Sequence, residues 1–205
     1  MNTNLKANKE MRALLVLLVF VGFIFSGFSE KPKYNSAEER FTIQINEVKK
    51  VVNSSTKYNK EIAFFLDMGI ESGKFRFFIY NLKSNKIIDE GLVTHGFGSE
   101  KRSTGELRFS NVSNSLCTSL GNYSVGNSYL GSYGKAYKLY GLDKTNSNAF
   151  ARNIVLHKMS SIPEQEQNGS IEKSFGCPAV NERYFERLAE IIDNSDSNII
   201  MSIYY

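Results

Sequence analysis

The chain has 205 residues, of which 41% are apolar and 22% are charged. This composition excludes a disordered protein, and the length fits one domain that buries a hydrophobic core. The net charge of +4 is spread along the chain, and its only adjacent basic pairs are Lys49-Lys50 and Lys101-Arg102. Nucleic acid is therefore not an expected partner, because binding it normally needs a concentrated basic patch.

An export signal is predicted at the N-terminus. Three basic residues lie within the first 12 positions, and an apolar run follows from 13 to 25 before small residues. These are the parts of a secretory signal. We expect residues 1–29 to be a signal peptide or a signal anchor, with possible membrane anchoring through residues 13–28, although the run is short for a transmembrane helix. The rest of the chain would then be exported to the periplasm or cell envelope.

An amphipathic helix is predicted between residues 36 and 54, within an N-terminal segment of residues 30–58. Ser36 is a suitable N-cap, and Glu39 stands where the capping-box partner belongs. Four apolar side chains recur at helical spacing: Phe41, Ile45, Val48 and Val52. This spacing predicts one buried face, so we expect the helix to pack against the domain or to act as a spacer.

Short apolar or alternating runs follow, separated by clusters of Gly, Asn and Ser. This pattern is typical of a β-rich domain. The predicted strands are residues 62–68, 75–82, 86–94, 136–140, 153–157 and 198–204. A hairpin turn is predicted at Lys83-Ser84-Asn85. The glycine-rich stretch 126–134 is interpreted as turns with exposed tyrosines, since it lacks the lysine and the strand-to-helix setting of a phosphate-binding loop.

A second helix is predicted from residue 182 to residue 193. Asn181 is a suitable N-cap. The apolar side chains on its expected buried side are Phe185, Leu188, Ile191 and Ile192. The elements together predict an α+β fold that is mainly β.

A thiol and an imidazole are the strongest candidates for chemistry, because the chain has only two cysteines and two histidines. Cys177 lies in the sequence S-F-G-C-P, where Gly176 permits backbone angles that larger residues resist. His157 ends an apolar run, where a strand would deliver its ring to the mouth of a site. An imidazole in reach can draw the proton from a thiol, and the thiolate is a strong nucleophile. This predicts Cys177 as nucleophile, His157 as general base and acid, and backbone N–H groups around Gly176 as an oxyanion hole.

The residues around this pair resemble the bacterial L,D-transpeptidases with a YkuD-type catalytic domain. The signature of that family is a histidine, a spacer and Ser/Thr-x-Gly-Cys, matched here by His157 and Ser174-Phe175-Gly176-Cys177. The match is to the branch whose cysteine motif reads S-x-G-C-P-A. Three further segments are similar to that branch: 94–99, 109–121 and 140–157.

Two departures from the commoner form of the family concern the surroundings of the cysteine. Phe175 stands where that form has a second histidine, and Pro178-Ala179-Val180 stand where it has an arginine or asparagine. The residue that anchors the substrate carboxylate is therefore open. The candidates are Arg152, Lys158 and Arg183.

The resemblance implies an L,D-transpeptidase-like β-sandwich or mixed sheet over residues 59–205. It implies a peptidoglycan stem tetrapeptide as substrate, cut between the L-centre of its third residue and the terminal D-alanine. A diamino acid of another stem would accept the acyl group, forming a cross-link through a thioester. A hydrolytic L,D-carboxypeptidase or endopeptidase stays open, as does a non-catalytic cell-wall-binding module. No cofactor is expected, and we expect a monomer.

Four further residues are candidates for the site. Ser174 could orient the imidazole, hold a substrate carbonyl or bond its own backbone. His95 could contact the substrate or replace His157 as the base. Ser119 and Arg152 lie in the resembling segments and are assigned to substrate binding.

Cys117 is interpreted as a residue that fills the core. The alternative is a Cys117–Cys177 disulfide, since export would place both thiols in an oxidising setting. A zinc site is not predicted, because the sequence has no C-x-x-C or H-x-x-x-H pair and structural zinc sites usually take two ligands from one short segment.

Overall fold

A mixed β-sheet of eight strands organises the part of the chain that the computed structural model describes, residues 36–101 and 104–205. The strands are β1 Tyr58–Asp67, β2 Phe77–Asn81, β3 Lys86–Gly91, β4 Gly121–Gly131, β5 Gly134–Gly141, β6 Val155–Lys158, β7 Ala179–Val180 and β8 Asn198–Tyr204. Their order is β3-β2-β1-β8-β4-β5-β6-β7, in which β1–β8 and β6–β7 are parallel and the other neighbours are antiparallel. This mixed sheet confirms the predicted fold class. The predicted export signal lies outside the described residues.

Helix α1, Ala37–Asn53, packs on one face of the sheet. The Ser36 hydroxyl accepts the Glu39 N–H at 3.1 Å, which confirms the predicted N-cap. Val48 and Val52 are buried among side chains of β1, β2 and β8, each contributing about 1.5–3 kcal/mol of apolar burial. The helix therefore shares a hydrophobic core with the sheet and has a packing role.

Helix α2, Glu182–Asp193, covers the opposite face and begins directly after β7. The Asn181 side chain accepts the backbone N–H groups of Arg183 and Tyr184, as predicted for its N-cap. Tyr184 donates its hydroxyl to the Phe77 carbonyl at 3.0 Å, which ties the helix to β2. The remaining predicted contacts are confirmed, with Phe185 and Leu188 buried and Ile191 and Ile192 half-buried against the same core.

The prediction of turns over 126–134 was wrong for most of that stretch, because β4 continues to Gly131. A bulge interrupts its register with β5 between Val125 and Ser128. At Gly126, a Cβ would lie 2.3 Å from the Tyr140 ring, so the glycine serves close packing between strands. The sequence also missed β7, which is too short to have a detectable period.

Strands β5 and β6 present two different faces. Tyr137, Leu139 and Leu156 point into the core shared with α2. Because side chains alternate along a strand, Lys138 and His157 lie on the other face. The candidate site lies at this end of the sheet. None of the helices in the described part of the chain is long and apolar enough to cross a membrane.

Candidate active site

Cys177 lies in a bend immediately before β7, and Gly176 gives the bend its shape. The φ of Gly176 is +117°, a backbone angle that other residues rarely adopt. A Cβ at this position would also lie 2.8 Å from the carbonyl oxygen of Cys117. The bend therefore requires glycine for both conformation and space.

Ser174 stabilises this bend from within. Its hydroxyl donates to the carbonyl oxygen of Cys177 and accepts the Gly176 N–H at 3.1 Å. These contacts match the backbone-bonding alternative, and among the described residues they include none with the His157 ring. Since the Gly176 N–H is occupied, the Cys177 N–H, which has no acceptor within the described residues, is the better oxyanion donor.

The Cys177 thiol is held against the start of β6. Its sulfur accepts the Val155 N–H at 3.5 Å, and the S–H donates to the Asn153 carbonyl at 3.6 Å. Burial raises the pKa of the Cys177 thiol, while the Val155 N–H and the charge of Arg152 act in the opposite direction. The resting group is therefore a protonated thiol, and its activation needs a base.

His157 is placed beside this thiol by the pairing of β6 with β7. Its partner across the parallel pair is Ala179, two residues after Cys177, so the Cα atoms of the histidine and cysteine lie roughly 8 Å apart. In the resting arrangement no hydrogen bond joins the two side chains, both of which lie in the described region.

The hydrogen bonding of His157 fixes its tautomer. Nδ1 lies 2.9 Å from the carbonyl oxygen of Lys158. A carbonyl can only accept, so Nδ1 carries the proton and Nε2 is left as an unprotonated acceptor. Burial lowers the pKa of His157, with the Lys158 carbonyl partly opposing this, so the ring is neutral near pH 7. Tyr133 stacks on the ring with centroids 4.5 Å apart, which restricts its orientation.

Comparison with known proteins identifies the family of the chain. The model of the L,D-transpeptidase catalytic domain matches residues 33–202 of the chain. The chain belongs to the L,D-transpeptidase catalytic-domain family. This match confirms the resemblance seen in the sequence, and it includes helix α1. Comparison with curated protein sequences gave no match.

Solved structures similar to this L,D-transpeptidase domain are distant in sequence. The Ldtfm–avibactam carbamoyl enzyme is 12% identical, with 72% of this chain and 50% of that one covered and a TM-score of 0.43. The helical cell shape determining protein Pgp2 from Campylobacter jejuni is 14% identical, with coverages of 74% and 52% and a TM-score of 0.44. An L,D-transpeptidase from Xylanimonas cellulosilytica is 13% identical, with coverages of 77% and 69% and a TM-score of 0.39. The chain thus spans about half the length of the first two proteins.

His95, the other histidine of this L,D-transpeptidase domain, has both ring nitrogens engaged. Nδ1 lies 3.0 Å from the buried Arg76 guanidinium, which can only donate, and Nε2 lies 3.3 Å from Glu100. Burial and the Arg76 charge lower the pKa of His95 to about 4. Glu100 continues the network to Lys173, next to the cysteine bend. The contacts of the ring give no support to a role as the base, and contact of His95 with substrate stays a prediction.

Ser119 and Arg152, which the sequence analysis assigned to substrate binding, are hydrogen-bonded to each other. The Arg152 guanidinium donates to the carbonyl oxygens of Ser110 at 2.9 Å and Cys117 at 2.6 Å, and to the Ser119 hydroxyl at 3.2 Å. Ser119 is 1% exposed and also bonds Tyr123. These contacts brace the segment next to Gly176, and contact of either residue with substrate stays a prediction.

The other two candidate carboxylate anchors are engaged in ion pairs. Lys158 pairs with Glu182, and Arg183 pairs with Glu164 at 3.0 Å. Each of these cations already has a protein carboxylate, so binding a substrate there would require breaking a pair.

Both cysteines have free thiols in the structure. Cys117 is buried and donates its S–H to the Ser115 carbonyl at 3.4 Å, consistent with its interpretation as core filler. Sequence reasoning did not identify Tyr133 or the backbone groups of Asn153 and Val155 as parts of the site. Tyr133 gave a signal only as an exposed tyrosine in a turn, and backbone groups give none.

Proposed function

We propose that this chain is a cysteine-dependent peptidoglycan L,D-transpeptidase that cross-links stem peptides through a thioester acyl-enzyme. The observation that carries the proposal is the tautomer of His157, whose Nε2 has no partner within the described residues and can accept a proton beside the bend of Cys177. Membership of the family supplies the substrate class. A binding module would have no need of a thiol with a neutral imidazole nearby.

In the first step, the cysteine sulfur attacks the carbonyl of the third residue of a donor stem. The S–H proton moves to Nε2 of His157 as the S–C bond forms, and the Cys177 N–H binds the developing oxyanion. His157 then gives the proton to the leaving amine of D-alanine as the C–N bond breaks. The product is a thioester and a neutral imidazole, ready for a second proton transfer.

In the second step, the amine of an acceptor stem attacks the thioester. His157 Nε2 removes a proton from this amine, and the thiolate of Cys177 leaves and is reprotonated. Water in place of the amine would give hydrolysis by the same residues. Transpeptidation and carboxypeptidase activity therefore differ in which nucleophile reaches the thioester.

The site of action follows from the substrate. Peptidoglycan lies outside the cytoplasmic membrane, and the N-terminal basic and apolar residues have the pattern of an export signal. We therefore propose that the protein works in the periplasm or cell envelope. A fusion of residues 1–35 to a reporter that is active only outside the cytoplasm should give a signal, and a stable but silent fusion would overturn this placement.

Mass analysis of purified tetrapeptide muropeptides tests the activity. Incubation with the protein should yield cross-linked dimers when an acceptor stem is present, and no product with Cys177→Ala. Loss of D-alanine without dimers would identify a hydrolase, and no change with folded, reduced protein would overturn both enzymatic readings. A carbapenem provides an independent probe, expected to add one drug mass to the wild type and none to Cys177→Ala.

A further inference from the structure

A cavity of about 260 Å³ lies around the start of β6, where backbone groups hold the cysteine sulfur. It is lined by Tyr129, Lys138, Phe150, Asn153, Ile154 and Val155. Two of these residues contact the sulfur directly, since Val155 donates its N–H to it and Asn153 accepts its S–H. A group bound in the cavity would therefore lie next to the carbonyl that the thiol attacks.

Lys138 is the only charged side chain among the lining residues. It is half-buried on β5, and its Cα partner on β6 is Val155. The pair spacing of an antiparallel sheet and the contact of Val155 with sulfur place the Lys138 Cα about 10 Å from the thiol. Lys138 also shares a sheet face with His157.

The ammonium of Lys138 has aromatic neighbours and, within the described part of the chain, no carboxylate partner. Its Nζ lies 5.8 Å from the centroid of the Tyr129 ring and 5.7 Å from that of Phe150. Phe150 is in turn stacked on Tyr140, with centroids 5.1 Å apart. Aromatic walls hold a cation in place without neutralising it, and they reduce the screening of its charge by water.

Other cations near the site are already engaged. Lys158 and Lys173 have carboxylate partners, and the Arg152 guanidinium donates hydrogen bonds to two backbone carbonyl oxygens. Lys138 is thus a cation in this cavity that can gain an anionic partner without breaking an ion pair within the described structure. This charge and the position of the cavity together indicate an anion bound close to the reacting carbonyl.

We propose that Lys138 binds a carboxylate of the donor stem peptide, whose neighbouring apolar atoms pack on Tyr129 and Phe150. This inference rests on the proposed function for the identity of the peptide. An extended peptide rises about 3.3 Å per residue, so the distance of about 10 Å between the Lys138 Cα and the thiol corresponds to about three residues. The bound carboxylate therefore belongs to a residue within about three positions of the attacked carbonyl.

The binding test uses Cys177→Ala protein, which cannot turn over its ligand. Calorimetric titration with the stem tetrapeptide should give a Kd about tenfold weaker after Lys138→Met, with Lys138→Arg retaining most of the affinity. Peptides amidated at the terminal carboxylate or at a side-chain carboxylate identify the source. Amidation of the bound carboxylate should weaken binding to the Lys138 protein and have little effect on the Lys138→Met protein.

Kinetics on protein with the native cysteine complete the test. Lys138→Met should raise KM about tenfold with kcat within about twofold, and iodoacetamide should label Cys177 at the wild-type rate. The inference would be overturned if Lys138→Met and amidation of the peptide both left Kd and KM unchanged, or if the tetrapeptide did not bind at all. Lysine-dependent binding without turnover by the wild type would instead refute the proposed function and leave the carboxylate site standing.

Discussion

Replacing Arg152 by methionine should loosen the segment that braces the cysteine bend. The guanidinium donates to the Ser110 carbonyl at 2.9 Å, the Cys117 carbonyl at 2.6 Å and the Ser119 hydroxyl at 3.2 Å. Hydrogen bonds from a charged donor contribute about 1.5–3 kcal/mol each, and the two carbonyl bonds are the short ones. We expect the free energy of unfolding to fall by about 4 kcal/mol, which lowers Tm by roughly 8–16 °C in a domain of this size.

The same substitution should alter the thiol. The charge of Arg152 favours the thiolate of Cys177, so its removal raises the pKa of that thiol further above its usual value. Urea unfolding measures the stability, and the rate of iodoacetamide alkylation as a function of pH measures the thiolate. The midpoint of alkylation in Arg152→Met should lie at higher pH than in the wild type.

A charge-preserving control separates the two effects. Arg152→Lys keeps the positive charge but loses the planar fork that reaches several acceptors at once. It should lower stability while moving the alkylation midpoint little. If Arg152→Met kept wild-type stability and raised only the KM for stem peptide, the residue would be a substrate contact and the structural reasoning would be refuted.

Three further outcomes follow from the geometry. Gly176→Ala should lower the free energy of unfolding by about 1–3 kcal/mol and abolish turnover. The reasons are the φ of +117° and the 2.8 Å between the new Cβ and the Cys117 carbonyl oxygen. Wild-type stability in urea and wild-type turnover would contradict this. The fold keeps His95 neutral and lowers its pKa from 6.5 to about 4. The free energy of unfolding should therefore fall by about 3 kcal/mol as the pH falls from 6.5 to 4. In His95→Gln, the free energy of unfolding measured in urea should change less between pH 7 and pH 4. Acylation of Cys177 by stem peptide should persist below pH 6.5 because the pKa of His157 is lowered. Alkylation of Cys177 by iodoacetamide should increase up to and beyond pH 9 because the pKa of the thiol is raised. The same pH dependence for acylation and alkylation would instead indicate a preformed thiolate–imidazolium pair.

Local patterns predicted the elements whose signals lie within a few residues. Helix α2 has the predicted bounds, because Asn181 supplies a cap and its apolar side chains recur at helical spacing. Strand β8 also has its predicted bounds, since the stretch from 198 to 204 is mostly apolar and rich in isoleucine. The pair of Cys177 and His157 could be named because the chain offers few other thiols and imidazoles.

The sequence by itself determined the family, the mainly β fold and the two residues proposed for the chemistry, since these depend on composition, periodicity and a short motif. Only the tertiary structure decided the state of those residues. The Lys158 carbonyl selects the tautomer of His157, and burial moves the pKa values of both groups. The partners of Arg152 and the aromatic neighbours of Lys138 likewise come from other segments. Such contacts depend on strand register and on the removal of water, which no local pattern encodes.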